Sequence, residues 1–264
     1  MMKNESIHGF TLTELLVLLV VGAVLTTFLL AASSDSKQQL QAAACLNNMR
    51  QWGMGFMMYA DDYNDYFPFE GVAGLDPCDP ANVPAWYDVV PPYIGQKPLC
   101  QLYMAGTPPT PLTKGIWTCP SATLTNVAPT RSSPYFMYAM STCWHSWLSL
   151  FDGLQRNRMT SPSNTILFCE ASEDNFPFTN GKYLNLVPNP GGGIAARHFA
   201  GANFVFGDGH AGWIAFTNFC RSGNAGCPFP GSNIEWNNSG PGGDWHPIVK
   251  YHWWPLKFAN TSPQ

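Results

Sequence analysis

The sequence predicts an α+β chain: a long N-terminal α-helix, membrane-spanning in its first half, packed on a head with a small antiparallel β-sheet. Three observations predict it. Leu15 to Ser34 holds no Asp, Glu, Lys or Arg, and an apolar run of about 18 residues or more reads as a candidate membrane span. Cys45, Met49, Trp52, Phe56 and Tyr59 then recur at spacings of 4, 3, 4 and 3, the stripe of a helix that buries one face. Finally, Asn203 to Phe216 reads as a β-hairpin about Asp208-Gly209, a dipeptide suited to the positive φ of a tight turn.

The helix is justified first. From Phe10 to Ala32 it would rise about 35 Å at roughly 1.5 Å per residue, enough to cross a bilayer. Met1 to Gly9 forms a short polar leader with Lys3 and Glu5. No clear Ala-x-Ala cleavage site follows the apolar run, Ala31-Ala32-Ser33-Ser34 being a weak match, which separates it from a secretory signal peptide. Glu14 lies near the head of the run. A central charged residue costs on the order of 2.5–3.5 kcal/mol on insertion scales, so the acid points to a partner. From Asp35 the chain turns polar but stays helix-friendly. Gly53 and Gly55 weaken the helix by about 1 kcal/mol each relative to Ala, and Asp61, Asp62, Asn64 and Pro68 mark its end. Both segments together make one helix of roughly 50 residues.

The head begins after Pro68. Residues 70–134 are rich in Pro and Gly and read as loops with one or two short elements near Trp86-Tyr87 and Ile116-Trp117. Tyr135 to Met140 reads as a strand, Ser161 to Asn164 as a turn, and Thr165 to Cys169 as a buried strand. Residues 218–264 return to loops bearing Trp236, Trp245, Trp253 and Trp254. Charged residues make only 11% of the chain, against about 25% in ordinary soluble domains. A net charge of −4 with no basic block argues against nucleic acid as a partner.

Eight cysteines stand at 45, 78, 100, 119, 143, 169, 220 and 227, and none forms Cys-x-x-Cys. That gives little support to a zinc ribbon or a thioredoxin-like motif. An exported head favours disulfides, but eight cysteines allow on the order of a hundred full pairings. Cys220 and Cys227 flank a Ser-Gly-Asn-Ala-Gly turn and make the best local pair. Cys78 with Cys100 is a second candidate, and Cys143 and Cys169 fit equally as buried free thiols.

Gly9-Phe10-Thr11-Leu12-Thr13-Glu14 before an apolar helix resembles the N-terminal signal of type IV pilins and type II secretion pseudopilins. His198, nine residues, then Asp208-Gly209 resembles the H-X9-DG group of prepilin-type proteins. Further pieces match that group in order: Cys45-Leu-Asn-Asn-Met-Arg-Gln, Tyr59-Ala-Asp-Asp-Tyr-Asn-Asp-Tyr-Phe-Pro68, Thr118-Cys119-Pro120-Ser121, Tyr138-Ala-Met and Ser161-Pro-Ser-Asn-Thr-Ile-Leu-Phe. The resemblance runs from Phe10 to about Phe216. Unlike many pilins, Leu25 to Ala32 carries no proline.

The resemblance implies a pilin-like fold with a leader at 1–9, a transmembrane helix at 10–34, an amphipathic helix half at 35–67 and a head at 68–264 containing the hairpin at 198–216. It implies that a prepilin peptidase cuts between Gly9 and Phe10 and methylates the new Phe10 amine, which Glu14 neutralises during assembly; such a pair is strong in a low-dielectric medium. It implies a disulfide between Cys45 and Cys119. The partners are then the peptidase, other pilin or pseudopilin subunits and the inner membrane, with the head periplasmic or extracellular. The implied function is a structural subunit of a type II secretion or type IV pilus-like filament, with no enzyme activity, no catalytic residues and no resident cofactor.

His198 and Asp208 admit three readings: a hydrogen-bonded pair closing the hairpin, a zinc site joined by His210, or acid–base chemistry. Asp61, Asp62, Asn64 and Asp65 offer oxygens for calcium but lack the EF-hand spacing, and also read as helix-end and turn residues. The competing function is a membrane-anchored surface module that presents aromatics to carbohydrate, since the chain holds ten Trp.

Overall fold

A computed structural model describes residues 11–69, 71, 76–80, 84–110, 112–113, 115–122, 129–131, 134–135, 137–140, 155–170 and 197–215, with only the backbone described at 27–34. The expectations for Gly9, Phe10, Cys143, Cys220, Cys227, Phe216 and the four tail tryptophans lie outside the described residues. The chain divides into two compact units, Met1–Gln41 and Ala42–Gln264. The division falls later than the sequence boundary near residue 34.

Helix α1 runs from Leu12 to Asp62, 51 residues. Thr11 and Glu14 start it with a capping box. The Glu14 carboxylate accepts the Thr11 backbone N–H at 2.8 Å, and the Thr11 hydroxyl lies 3.3 Å from the Glu14 N–H. These bonds satisfy backbone donors that a helix start leaves open. The large apolar side chains of the first half, including Leu12, Leu15, Leu16, Val17, Leu18, Leu19, Val20, Val21, Val24 and Leu25, are exposed.

The membrane-spanning half of the expected fold is overturned. Among the described residues no helix is long and apolar enough to cross a membrane. The transmembrane segment at 10–34 and a single-pass inner-membrane location lose their support together.

From Ala42 onward, α1 belongs with the head. Cys45, Met49, Trp52 and Phe56 are fully buried, and Tyr59 nearly so. They line one helix face because residues three and four apart stack on the same side. Trp52 lies at the centre: its ring centroid is 5.3 Å from Trp86, 5.1 Å from Trp117 and 5.7 Å from Phe168. Its indole N–H donates to the Ile116 carbonyl at 3.0 Å. The apolar body is therefore buried without stranding its polar tip. Asn48, one turn earlier, donates to the carbonyls of Gly115 and Thr118 at 3.0 Å each. Two short helices, α2 (Trp86–Val89) and α3 (Leu99–Met104), carry Trp86 and Leu99 into the same core.

Four strands follow: β1 (Tyr138–Met140), β2 (Ile166–Glu170), β3 (Gly201–Phe206) and β4 (Ala211–Ala215). They form one sheet in the order β1-β2-β3-β4, antiparallel throughout. The central strands β2 and β3 are buried along their whole length, which accounts for their nearly unbroken apolar sequences. A register irregularity separates Ile166 from Phe168 opposite β3. The turn joining β3 to β4 centres on Asp208-Gly209, with Gly209 at φ +85°.

Candidate functional site

The structure separates the two ends of the His198–Asp208 motif. His198 sits just before β3, bridged to Gly201 by paired backbone bonds of 3.0 and 2.9 Å. Between them lies a two-residue turn, Phe199-Ala200, with both φ positive at 49° and 54°. That is the pattern of a type I′ hairpin turn, which matches the right-handed strand twist but strains residues that carry a Cβ. The Trp213 indole N–H holds the His198 carbonyl at 2.7 Å. These contacts leave the imidazole buried, 3% exposed with its residue.

There Nε2 lies 3.0 Å from Glu170 Oε1 and 3.3 Å from Cys119 Sγ. Glu170 ends β2 and is fully buried. Its Oε2 accepts the Asn203 backbone N–H at 3.0 Å, and its Oε1 accepts the Asn203 side-chain amide at 3.2 Å. A buried carboxylate persists only when its oxygens are satisfied in this way. Cys119 is disulfide-bonded to Cys45 of α1, across a Cα separation of 5.2 Å. The bond ties α1 to the loop beside the sheet. A second disulfide joins Cys78 to Cys100. Cys169 is a buried free thiol, and burial pushes its pKa well above the ordinary value.

Asp208 stands at the opposite end of β3 and does not meet His198. Its Oδ1 accepts the His210 backbone N–H at 3.1 Å and lies 2.6 Å from His210 Nδ1. Both side chains are partly exposed. The hydrogen-bonded His198–Asp208 pair is thus corrected: register puts six residues of β3 between the partners, and each finds a nearer one. The same separation dissolves the zinc set of His198, Asp208 and His210. Gly209 instead packs against α1, where its carbonyl oxygen crowds the position a Cβ on Gly53 would take. The motif therefore grips α1 at two places, through the Cys119–Cys45 bond next to His198 and through Gly209 on Gly53.

The candidate calcium oxygens are also engaged. Arg156 bridges Asp61 at 2.7 Å and Asp65 at 2.5 Å, and the Tyr93 hydroxyl donates to Asp62 at 2.8 Å. Asn64 and Asp65 take left-handed φ values of 54° and 65° at the helix end, where such residues terminate α-helices. The tryptophans named for carbohydrate, Trp236, Trp245, Trp253 and Trp254, lie outside the described residues; of the others, Trp52, Trp86 and Trp117 are core residues and Trp213 is 45% exposed.

Sequence reasoning missed Glu170 and Asn203. The available signal was an acid closing the otherwise apolar run Thr165 to Cys169. Among the described residues, Cys45, Cys119, Glu170 and His198 bring their sulfur, carboxylate and imidazole ligand atoms within 4.8 Å of one another. Comparison of the chain with protein-family models, curated proteins and solved structures returns no match.

Proposed function

We propose that this chain is a pilin-like structural subunit of a type II secretion or type IV pilus-like filament, assembling through the first half of α1. One observation carries the reading. From Leu15 to Val21 every side chain is apolar and exposed, so this stretch has no polar face to offer water. Contiguous apolar surface of that kind marks an interaction site. The occupant is further copies of the same helix, stacked head to tail by a heterologous contact that propagates instead of closing.

The N-terminal string supports that choice. Cleavage after Gly9 by a prepilin peptidase would leave a cationic Phe10 amine beside the only acid of the helix start, Glu14. Thr13, Glu14, Val17 and Leu18 line a shallow, open depression of the helix surface at that acid. Apolar packing supplies the attraction between helices, and the amine–carboxylate pair sets their axial register. The head then acts by presentation and contact.

The test is co-expression with a prepilin peptidase, followed by intact-mass measurement and electron microscopy. The expected product begins at methylated Phe10 and forms filaments, while Glu14→Ala is processed but fails to assemble. Absence of cleavage at Gly9, or normal filaments from processed Glu14→Ala, would refute the reading.

A further inference from the structure

We propose that the Cys45–Cys119 disulfide and a divalent metal of the zinc class are alternative occupants of one buried site, the metal being held in the reduced chain by Cys45, Cys119, His198 and Glu170. The four residues come from α1, the loop at Cys119, the end of β2 and the turn before β3, and all are buried. They supply two sulfurs, one imidazole nitrogen and one carboxylate oxygen, the donor types zinc prefers.

The spacing fits. Tetrahedral zinc, with metal–sulfur distances near 2.3 Å and metal–nitrogen distances near 2.0–2.1 Å, sets neighbouring ligand atoms about 3.3–3.8 Å apart. Here Cys119 Sγ and His198 Nε2 are 3.3 Å apart, and Nε2 and Glu170 Oε1 are 3.0 Å apart. The first lies at the short edge of that range and the second about 0.3 Å inside it, so small outward shifts of the sulfurs after the bond opens, and of the Glu170 carboxylate, complete the tetrahedron. The surrounding contacts also suit a metal: Asn203 holds Glu170 through both carboxylate oxygens, and the Phe199-Ala200 turn and Trp213 fix the His198 backbone. Such outer partners orient ligands and tune affinity.

The chemistry balances with a thiol reductant. Two external thiols reduce the Cys45–Cys119 bond, becoming one external disulfide and leaving two protein thiols. One divalent ion then displaces two protons as both thiols bind as thiolates; the proton that Nε2 shares with Glu170 in the oxidised chain moves to Nδ1 as the imidazole changes tautomer, which frees the Nε2 lone pair, and Glu170 binds through its carboxylate. Two positive charges enter with the ion and two leave as protons, so the local charge stays at −1. Oxidation by a disulfide runs the exchange backwards: two protons are consumed, two external thiols form and the ion leaves.

The experiment uses the full chain under anaerobic conditions, reduced with a non-coordinating phosphine and titrated with cobalt(II) as an optical probe, then with zinc in competition. The expected result is a cobalt site formed in the reduced chain and absent from the oxidised one, with tetrahedral ligand-field bands and thiolate charge transfer. Cys45→Ser abolishes it. Glu170→Gln, which keeps the shape and loses the anionic ligand, and His198→Ala each weaken binding by about tenfold or more. Cys78→Ser with Cys100→Ser leaves it intact, excluding the other disulfide as the source. Circular dichroism of every variant reports folding. The proposal is overturned by equal uptake in both redox states, by no uptake in a reduced chain that keeps its fold, or by uptake indifferent to both Glu170→Gln and His198→Ala.

Discussion

Gly53→Ala tests whether the Asp208-Gly209 turn docks on α1. In an isolated helix this substitution stabilises by about 1 kcal/mol, because Ala is the better helix former. In the folded head the added Cβ would overlap the Gly209 carbonyl oxygen and lie 3.1 Å from both the Gly209 carbonyl carbon and Val205 Cγ1. The first clash is with backbone, so no rotamer change relieves it; the hairpin must move. Overpacking of this kind costs about 1–3 kcal/mol. Set against the propensity gain, the net expectation is a loss of up to about 2 kcal/mol. For a unit spanning Ala42–Gln264, each kcal/mol lowers Tm by about 2–4 °C. Thermal unfolding followed by far-ultraviolet circular dichroism reads the change. Gly22→Ala is the control, since nothing lies within 4 Å of the Cβ it would carry; it should show no such loss. If Gly53→Ala raises Tm, the turn does not rest on the helix as described.

The two disulfides should differ in worth. The chain-entropy relation gives about 4.5 kcal/mol for the Cys45–Cys119 loop and about 3.4 kcal/mol for the Cys78–Cys100 loop, from sequence separations of 74 and 22; urea unfolding of paired Cys→Ser variants with a chelator present should preserve that order, and a reversed order would count against the assigned connectivity. Asp88 supplies the pH prediction. Burial raises its pKa from 3.8 to about 6, outweighing backbone bonds from Cys100 and Leu99 that lower it, so the folded state holds the proton more tightly than the unfolded chain. Its contribution is fully present below about pH 4 and is lost as pH rises to about 6, a change on the order of 2–3 kcal/mol. Asp88→Asn, which keeps an acceptor for the Cys100 N–H bonded at 2.9 Å, should flatten that part of the stability–pH curve; an unchanged curve would assign the slope to other groups.

Local chemistry made some features legible. The spacing of Cys45, Met49, Trp52, Phe56 and Tyr59 exposes a buried helix face because helical periodicity is a property of neighbours in sequence. Asp208-Gly209 announces a turn because Gly tolerates positive φ. Thr11 and Glu14 also carried a local signal, a capping box, although the acid first suggested only a distant counter-charge. The Phe199-Ala200 turn had no comparable signal: neither residue favours the left-handed region, and the conformation persists because β3 and its bridge to His198 impose it.

By itself, then, the sequence determined the apolar, charge-free run from Leu15 to Ser34, the buried stripe of the helix end, and the position of the β3–β4 turn. Each follows from residue type and short-range spacing. Only the tertiary structure decided that His198 pairs with Glu170 and the Cys119 sulfur while Asp208 pairs with His210. The physical reason is strand register. Antiparallel pairing of β2 and β3 brings Glu170 and His198 together across 28 positions of sequence, while β3 carries Asp208 to the far end of the same hairpin.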